Sequence, residues 1–200
     1  MRNIIAGLFL VIVGCGVAGY GWYTHQSLDT VSKASSLVSQ HLLAFEQEPN
    51  LDLSSYLARG EEAEKALAAD LLQIESADWS GAEEKKDAAM AFTTRALSVI
   101  RTYTRFLMSS MRLDMTKQRL QEDERALAQE TDPKLKSSAS ERLQAYKEKY
   151  QQEWREFYHQ NTAIGMHCEM LLRANDEVKV AFGDDKGLDL ATQAFMKQLF

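Results

Sequence analysis

Proline is nearly missing from this sequence: Pro49 and Pro133 are the only two in 200 residues, far below ordinary usage. Glycine is scarce beyond the first sixty residues, and positions 61–164 hold only Gly81. A chain so poor in breakers, and rich in Ala, Leu, Glu, Gln, Lys and Arg, is built for long helices. Cysteine is almost absent too. Cys15 lies in an apolar run far from Cys168, which argues against an intrachain disulfide. There is no C-x-x-C, which removes c-type haem attachment and the common zinc spacings. There is also no Walker loop, no G-x-S-x-G and no H-E-x-x-H. Asp184-Asp185-Lys186-Gly187 lacks the spaced oxygen ligands of a calcium loop. From these absences we expect no enzyme and no resident cofactor. Excess positive charge is lacking as well: 23 Lys+Arg stand against 29 Asp+Glu, a net charge of −6. An acidic chain repels phosphate backbones, so no nucleic-acid partner is expected. Mixed runs such as Glu83-Glu84-Lys85-Lys86 suit a solvated helix face.

What is present begins with an uncharged stretch at residues 4–23. Twenty such residues match the length of a membrane-crossing helix. Arg2 and the amino terminus precede it, and Lys33 is the next positive charge. The positive-inside rule puts the N-terminus in the cytoplasm and the rest outside, periplasmic or extracellular. Tyr20, Trp22 and Tyr23 sit where aromatic rings prefer the interface. Residues 1–24 are thus expected to be a single-pass anchor in contact with membrane lipid. An alternative is a lipoprotein: Ile12-Val13-Gly14-Cys15 resembles a lipobox, with lipidation at Cys15 after cleavage of a short signal peptide. Gly7, Gly14, Ala18 and Gly21 form a small-residue face suited to packing of membrane helices.

The fold class expected for the remainder is all-α. Residues 25–182 form an antiparallel helical bundle with a long coiled-coil-like hairpin, and 183–200 form a loop and a short amphipathic helix. Leu28, Val31, Ser35, Val38, Leu42 and Phe45 repeat at 3 and 4, giving a first helix that stops before Pro49. Asn50 or Asp52 caps a second helix that ends near 76–78. Asp78 caps a third beginning at Trp79. On it Met90, Thr93, Leu97, Ile100, Thr104, Leu107 and Met111 keep a heptad. The seam then slips to Phe106, Leu113, Leu120 and Leu127, as if the packing partner changed. Thr131-Asp132-Pro133 is a cap followed by proline at the first helical position, and it starts a fourth helix reaching about 182. Its expected seam includes Tyr146, Tyr150, Trp154, Phe157 and Asn161.

Helices one and two run to about 25 residues, and three and four to about 50, so about 38 Å and 75 Å. The short pair can join the long pair only over half its length. A four-helix bundle near the membrane and a two-helix hairpin over roughly 105–158 follow.

Few constellations carry chemistry. Gly165-Met166-His167-Cys168-Glu169-Met170 gathers soft ligands, but only His167 and Met170 share a flank. They are the candidates for a copper or haem site; a core cysteine beside a partly exposed histidine is the other reading. Glu156 and His159 match E-x-x-H, and no second copy exists to complete a di-iron site. Met108, Met111 and Met115 suit ordinary thioether–aromatic packing. Tyr146, Tyr150, Trp154 and Tyr158 step by four on the hairpin, where one seam cannot cover them all. They are the candidate partner-binding residues, for a protein partner or a second copy; packing in the core of the hairpin is the other reading. The functional expectation is a membrane-anchored helical binding or scaffold protein. The alternatives are a ligand-binding sensor subunit of a membrane complex and a haem- or copper-binding bundle.

Overall fold

The computed structural model describes residues 29–77, 79 and 81–199. The expected anchor, with Gly7, Gly14, Cys15, Ala18 and Gly21, lies outside the described residues. Among the described residues every regular element is a helix, and none is long and apolar enough to cross a membrane.

The elements are α1 (29–42), α2 (Ala44–Gln47), α3 (Leu53–Ser76), α4 (Glu83–Gln129), α5 (Pro133–Phe182) and α6 (Leu190–Lys197). Local chemistry sets most boundaries. The Asp52 carboxylate accepts from the Ser55 N–H at 2.9 Å and the Ser55 hydroxyl at 2.7 Å, capping α3. Those hydrogen bonds hold its carboxyl well below the usual range. Asp132 accepts from Lys134 N–H at 2.8 Å and Pro133 fills the first helical position, so α5 starts as the sequence implies. Asp189 caps α6 through Thr192 N–H at 2.8 Å.

Three boundaries differ from the sequence reading. The first helix breaks at Leu43 rather than running to Pro49. His41, Leu42, Leu43 and Ala44 are all buried. Four consecutive residues cannot face one side of a straight helix, so the chain bends over the end of the core there. The third helix starts at Glu83, not Trp79. Trp79 instead turns back, and its indole N–H donates to the Ile74 carbonyl at 2.7 Å, closing the end of α3. Gly81 carries the turn onward at φ +79°. The terminal helix is shorter than residues 188–200 because Leu188 is consumed in the core and Asp189 is the cap.

The core is a four-helix bundle. Val31, Ala34, Val38 and Leu42 from α1 meet Tyr56, Ala63, Leu67 and Ile74 from α3. Phe92, Ala96, Val99 and Ile100 from α4 and Ile164, Cys168, Leu171 and Val178 from α5 complete it. The helices alternate in direction. Lys33 pairs with Asp70 and His41 with Tyr56 across α1 and α3, while Arg101 pairs with Glu64 across α3 and α4. The C-terminal segment seals one side. Ser35 donates to the Gly187 carbonyl at 2.8 Å, Ser39 donates to Asp189 at 2.6 Å, and Asn175 accepts from Leu188 N–H at 2.7 Å.

Among the described residues only α4 and α5 continue beyond Tyr103, and the outer stretch of α4 is about 38 Å long. The apparent slip on α4 resolves into two stripes. Phe92, Val99, Phe106, Leu113, Leu120 and Leu127 recur at strict sevens, and Phe106 packs on Phe157 at 5.4 Å, so this stripe faces α5 throughout. Thr93, Leu97, Ile100 and Thr104 belong to the other stripe. It faces α1 and α3 and ends where they end, with Thr104 on His41.

Candidate functional site

The hairpin's seam is thin. On α4 it alternates Phe106, Leu113, Leu120 and Leu127 with Ser109, Thr116 and Asp123. On α5 it runs through Ala139, Leu143, Tyr146, Tyr150, Glu153, Phe157 and Gln160. Tyr146 and Tyr150 are half-buried in it. Trp154 and Asn161, expected on the seam, lie off it and are exposed. Glu153 and Gln160 take those places. One carboxylate oxygen of Glu153 is buried without a hydrogen-bond partner, and the other lies 3.7 Å from Lys149. A carboxylate at a core position weakens the seam.

Displacing Trp154 from the seam leaves it on a flank. Trp154 is 50% exposed and Tyr158 57%, and their rings stack at 5.8 Å and 15°. Met111 and Met115 are exposed too, at 44% and 55%, so they are not core thioethers. The structure therefore separates the four candidate partner residues into a half-buried pair, Tyr146 and Tyr150, and an exposed pair, Trp154 and Tyr158.

The flanks can be told apart by their ion pairs. Lys147 meets Glu124 at 3.5 Å on one side, and Trp154, seven residues after Lys147, shares that side. Arg112 meets Glu156 at 3.9 Å on the other.

A second feature sits where the hairpin leaves the bundle. His41 is 5% exposed and stacks on Tyr56 at 4.6 Å, and Phe45 also stacks on Tyr56, at 4.9 Å. His41 Nε2 lies 2.7 Å from the Tyr56 hydroxyl and 2.9 Å from Thr104 Oγ1, and the Thr104 hydroxyl donates to the Ile100 carbonyl. Burial pushes the His41 pKa down to about 4, so the ring is neutral, and it raises the Tyr56 hydroxyl. Gly60 permits the approach: a Cβ there would stand 3.0 Å from the His41 ring. Ring contacts continue from His41 to Tyr103, from Tyr103 to Phe106 and Phe195, and from Phe106 to Phe157. Beside this chain of rings is a cavity of about 330 Å³. Leu37, Ala44 and Ala63 line it, with Gln40, His41, Glu48 and Arg59. Arg59 donates twice to Glu48, at 2.6 and 2.8 Å. The sequence reading left His41 unused. Its one signal is position, one residue before Leu42 on the seam of α1.

His167 and Met170 are both half-buried on α5. Burial, with Arg95 nearby, lowers the His167 pKa, and its Nδ1 is buried without a partner. Cys168 is wholly buried, and burial pushes its thiol up to about 12. No group of three His, Cys, Asp or Glu side chains that could hold a metal occurs among the described residues.

No family model matches the sequence, and no curated protein and no solved structure is significantly similar to it.

Proposed function

We propose that this chain is a non-enzymatic, membrane-anchored binding or scaffold protein whose working surface is the projecting hairpin. The observation that carries the reading is the Trp154–Tyr158 stack, exposed on a flank of a two-helix segment that no third helix covers among the described residues. Stacked aromatics in that setting supply contact area at low entropic cost and are enriched at interfaces. The occupant is another helical protein, packing lengthwise on the Trp154 side. In this reading residues 4–23 hold the chain in the membrane, with the N-terminus cytoplasmic and the helical domain outside.

The test is crosslinking in native membranes with a photoreactive group at position 151, comparing the wild type with Trp154→Ser/Tyr158→Ser. Loss of a discrete crosslinked partner, with helicity and melting unchanged, supports the proposal. A band of twice the chain mass would identify the occupant as a second copy. Retained crosslinking in the double variant sinks it. Intact mass of the membrane-extracted chain separates an uncleaved anchor from a mature chain lipidated at Cys15.

A second reading, a ligand-binding sensor subunit, has one specific support. The junction cavity combines apolar walls with His41, Gln40 and the Arg59–Glu48 pair, the mixture small-ligand sites use.

A further inference from the structure

The flank opposite Trp154 has a chemistry of its own. Arg105, Arg112 and Arg119 recur at sevens on α4 and share one side of the hairpin. Arg112 meets Glu156 of α5 there, so Lys149 and Arg142, seven and fourteen residues before Glu156, lie on the same side. All five cations are exposed. Met108 and Met115 sit three residues after Arg105 and Arg112, beside the arginines, and Met115 is exposed. Among the described residues Arg105, Arg119 and Arg142 have no ion-pair partner. Glu122 and Glu156 lie on this side, and Glu153 reaches it from the seam, 3.7 Å from Lys149.

Register makes the flank more than a run of solvated charge. One heptad towards the tip from the Arg112–Glu156 pair, Arg119 stands opposite Lys149. Lys149 is held by Glu153 at 3.7 Å, whereas Arg119 has no ion-pair partner among the described residues, so an anion docking on this flank meets an uncompensated guanidinium. The hairpin as a whole is also less acidic than the rest of the chain. Residues 105–158 hold eleven Lys+Arg and ten Asp+Glu, whereas the rest holds twelve and nineteen.

We propose that this flank is a docking site for an acidic amphipathic helix of a partner protein. The spacing sets the partner's form. Cations every seven residues stand about 10.5 Å apart along the axis, the interval at which carboxylates recur on one face of a second helix. Guanidinium groups bind carboxylates bidentately, and Met115, exposed between them, accepts apolar side chains without demanding one shape. The site is independent of the Trp154 side.

The experiment uses the full chain in detergent and a fluorescent helical peptide probe. The probe carries Glu at seven-residue intervals with Leu three residues after each. A control peptide of the same composition has the Glu residues moved to irregular spacing. The wild type is expected to bind the regular probe at least ten-fold tighter than the control, with affinity falling steeply as salt rises. Arg119→Glu should weaken binding ten-fold or more. Arg119 is exposed and has no ion-pair partner to lose among the described residues, so melting should hold. Trp154→Ser/Tyr158→Ser should bind the probe as the wild type does. Equal affinity for both peptides overturns the proposal, as does an Arg119→Glu variant that binds unchanged. Vesicles of phosphatidylglycerol and phosphatidylcholine that capture the wild type but not Arg119→Glu, while the probe stays unbound, would assign the flank to a lipid surface instead. Self-association by sedimentation, lost in Arg119→Glu with no probe binding, would assign it to a second copy.

Discussion

The bundle and the hairpin are made of the same two long helices, yet they solve opposite problems. In the bundle α4 is surrounded, and Phe92, Ala96, Val99 and Ile100 are fully buried on more than one side. In the hairpin the same helix keeps one neighbour, and its heptad positions alternate between leucine and Ser109, Thr116 and Asp123. Three partners let a helix bury nearly its whole circumference; one partner leaves two flanks in solvent. The lesson is that stability is concentrated where helices are four, and accessible chemistry where they are two.

The sharpest way to break that contrast is to delete equivalent heptad residues in each half. Phe92→Ala should lower the unfolding free energy by about 3–5 kcal/mol, and Leu120→Ala by about 1 kcal/mol or less, because half-exposed side chains leave no closed cavity. Urea denaturation measures both. Equal losses would mean that the hairpin shares the bundle's core energetics.

Acid should separate the halves next. His41 in the folded chain titrates near pH about 4, against 6.5 for a free imidazole. Between those values the unfolded chain binds the extra proton, so stability rises with pH. His41's contribution is complete above about pH 6.5, declines as pH falls towards about 4, and is flat below. The loss is on the order of 3 kcal/mol. His41→Gln should remove this part of the slope. An unchanged slope would place the acid sensitivity elsewhere.

The C-terminal seal gives a smaller effect. Gly187 has φ +95°, and a Cβ there would lie 2.2 Å from the Asn175 side-chain oxygen. Gly187→Ala should cost about 2 kcal/mol, with faster hydrogen exchange at Leu188 and Thr192. Unchanged exchange would show that the loop relaxes without releasing the seal.

The smallest expected effect has the opposite sign. Glu153→Leu removes a buried carboxylate oxygen with no partner and restores an apolar layer between Tyr150 and Phe157. The hairpin should gain about 1 kcal/mol, seen as slower exchange across its seam with little change in the bundle. A loss of protection there would show that the carboxylate is needed in place.

Much of the fold was legible because its signals are local. Asp132-Pro133 and Asp52 mark starts by cap chemistry, and the lack of breakers between them forces long helices. The hairpin followed from arithmetic alone, since 25-residue helices cannot cover 50-residue ones. The seam of α5 was less legible. From Tyr150 a step of three reaches Glu153 and a step of four reaches Trp154, and hydrophobicity favours the tryptophan. The register of α4 decides otherwise, and no local pattern carries it. The start of α4 was missed because Trp79 serves the end of α3 through its side chain. His41 was illegible as a site residue because its partners, Tyr56 and Thr104, come from other helices. The expected anchor and its expected small-residue face lie outside the described residues.

The continuity of α4 and α5 has a mechanical consequence. Each long helix passes from the bundle into the hairpin without a break, as a single rod of 47 or 50 residues. The outer portion is therefore a lever of about 38 Å, and a 10° tilt at its root swings the tip by about 7 Å. The root is the row of rings from Tyr103 to Phe106 and Phe157, joined through His41 and Tyr56 to the bend at Leu43. A load on the tip is delivered to that fulcrum with little give along the way. The place where the first helix turns over the core is thus the place where a pull on the far end is felt.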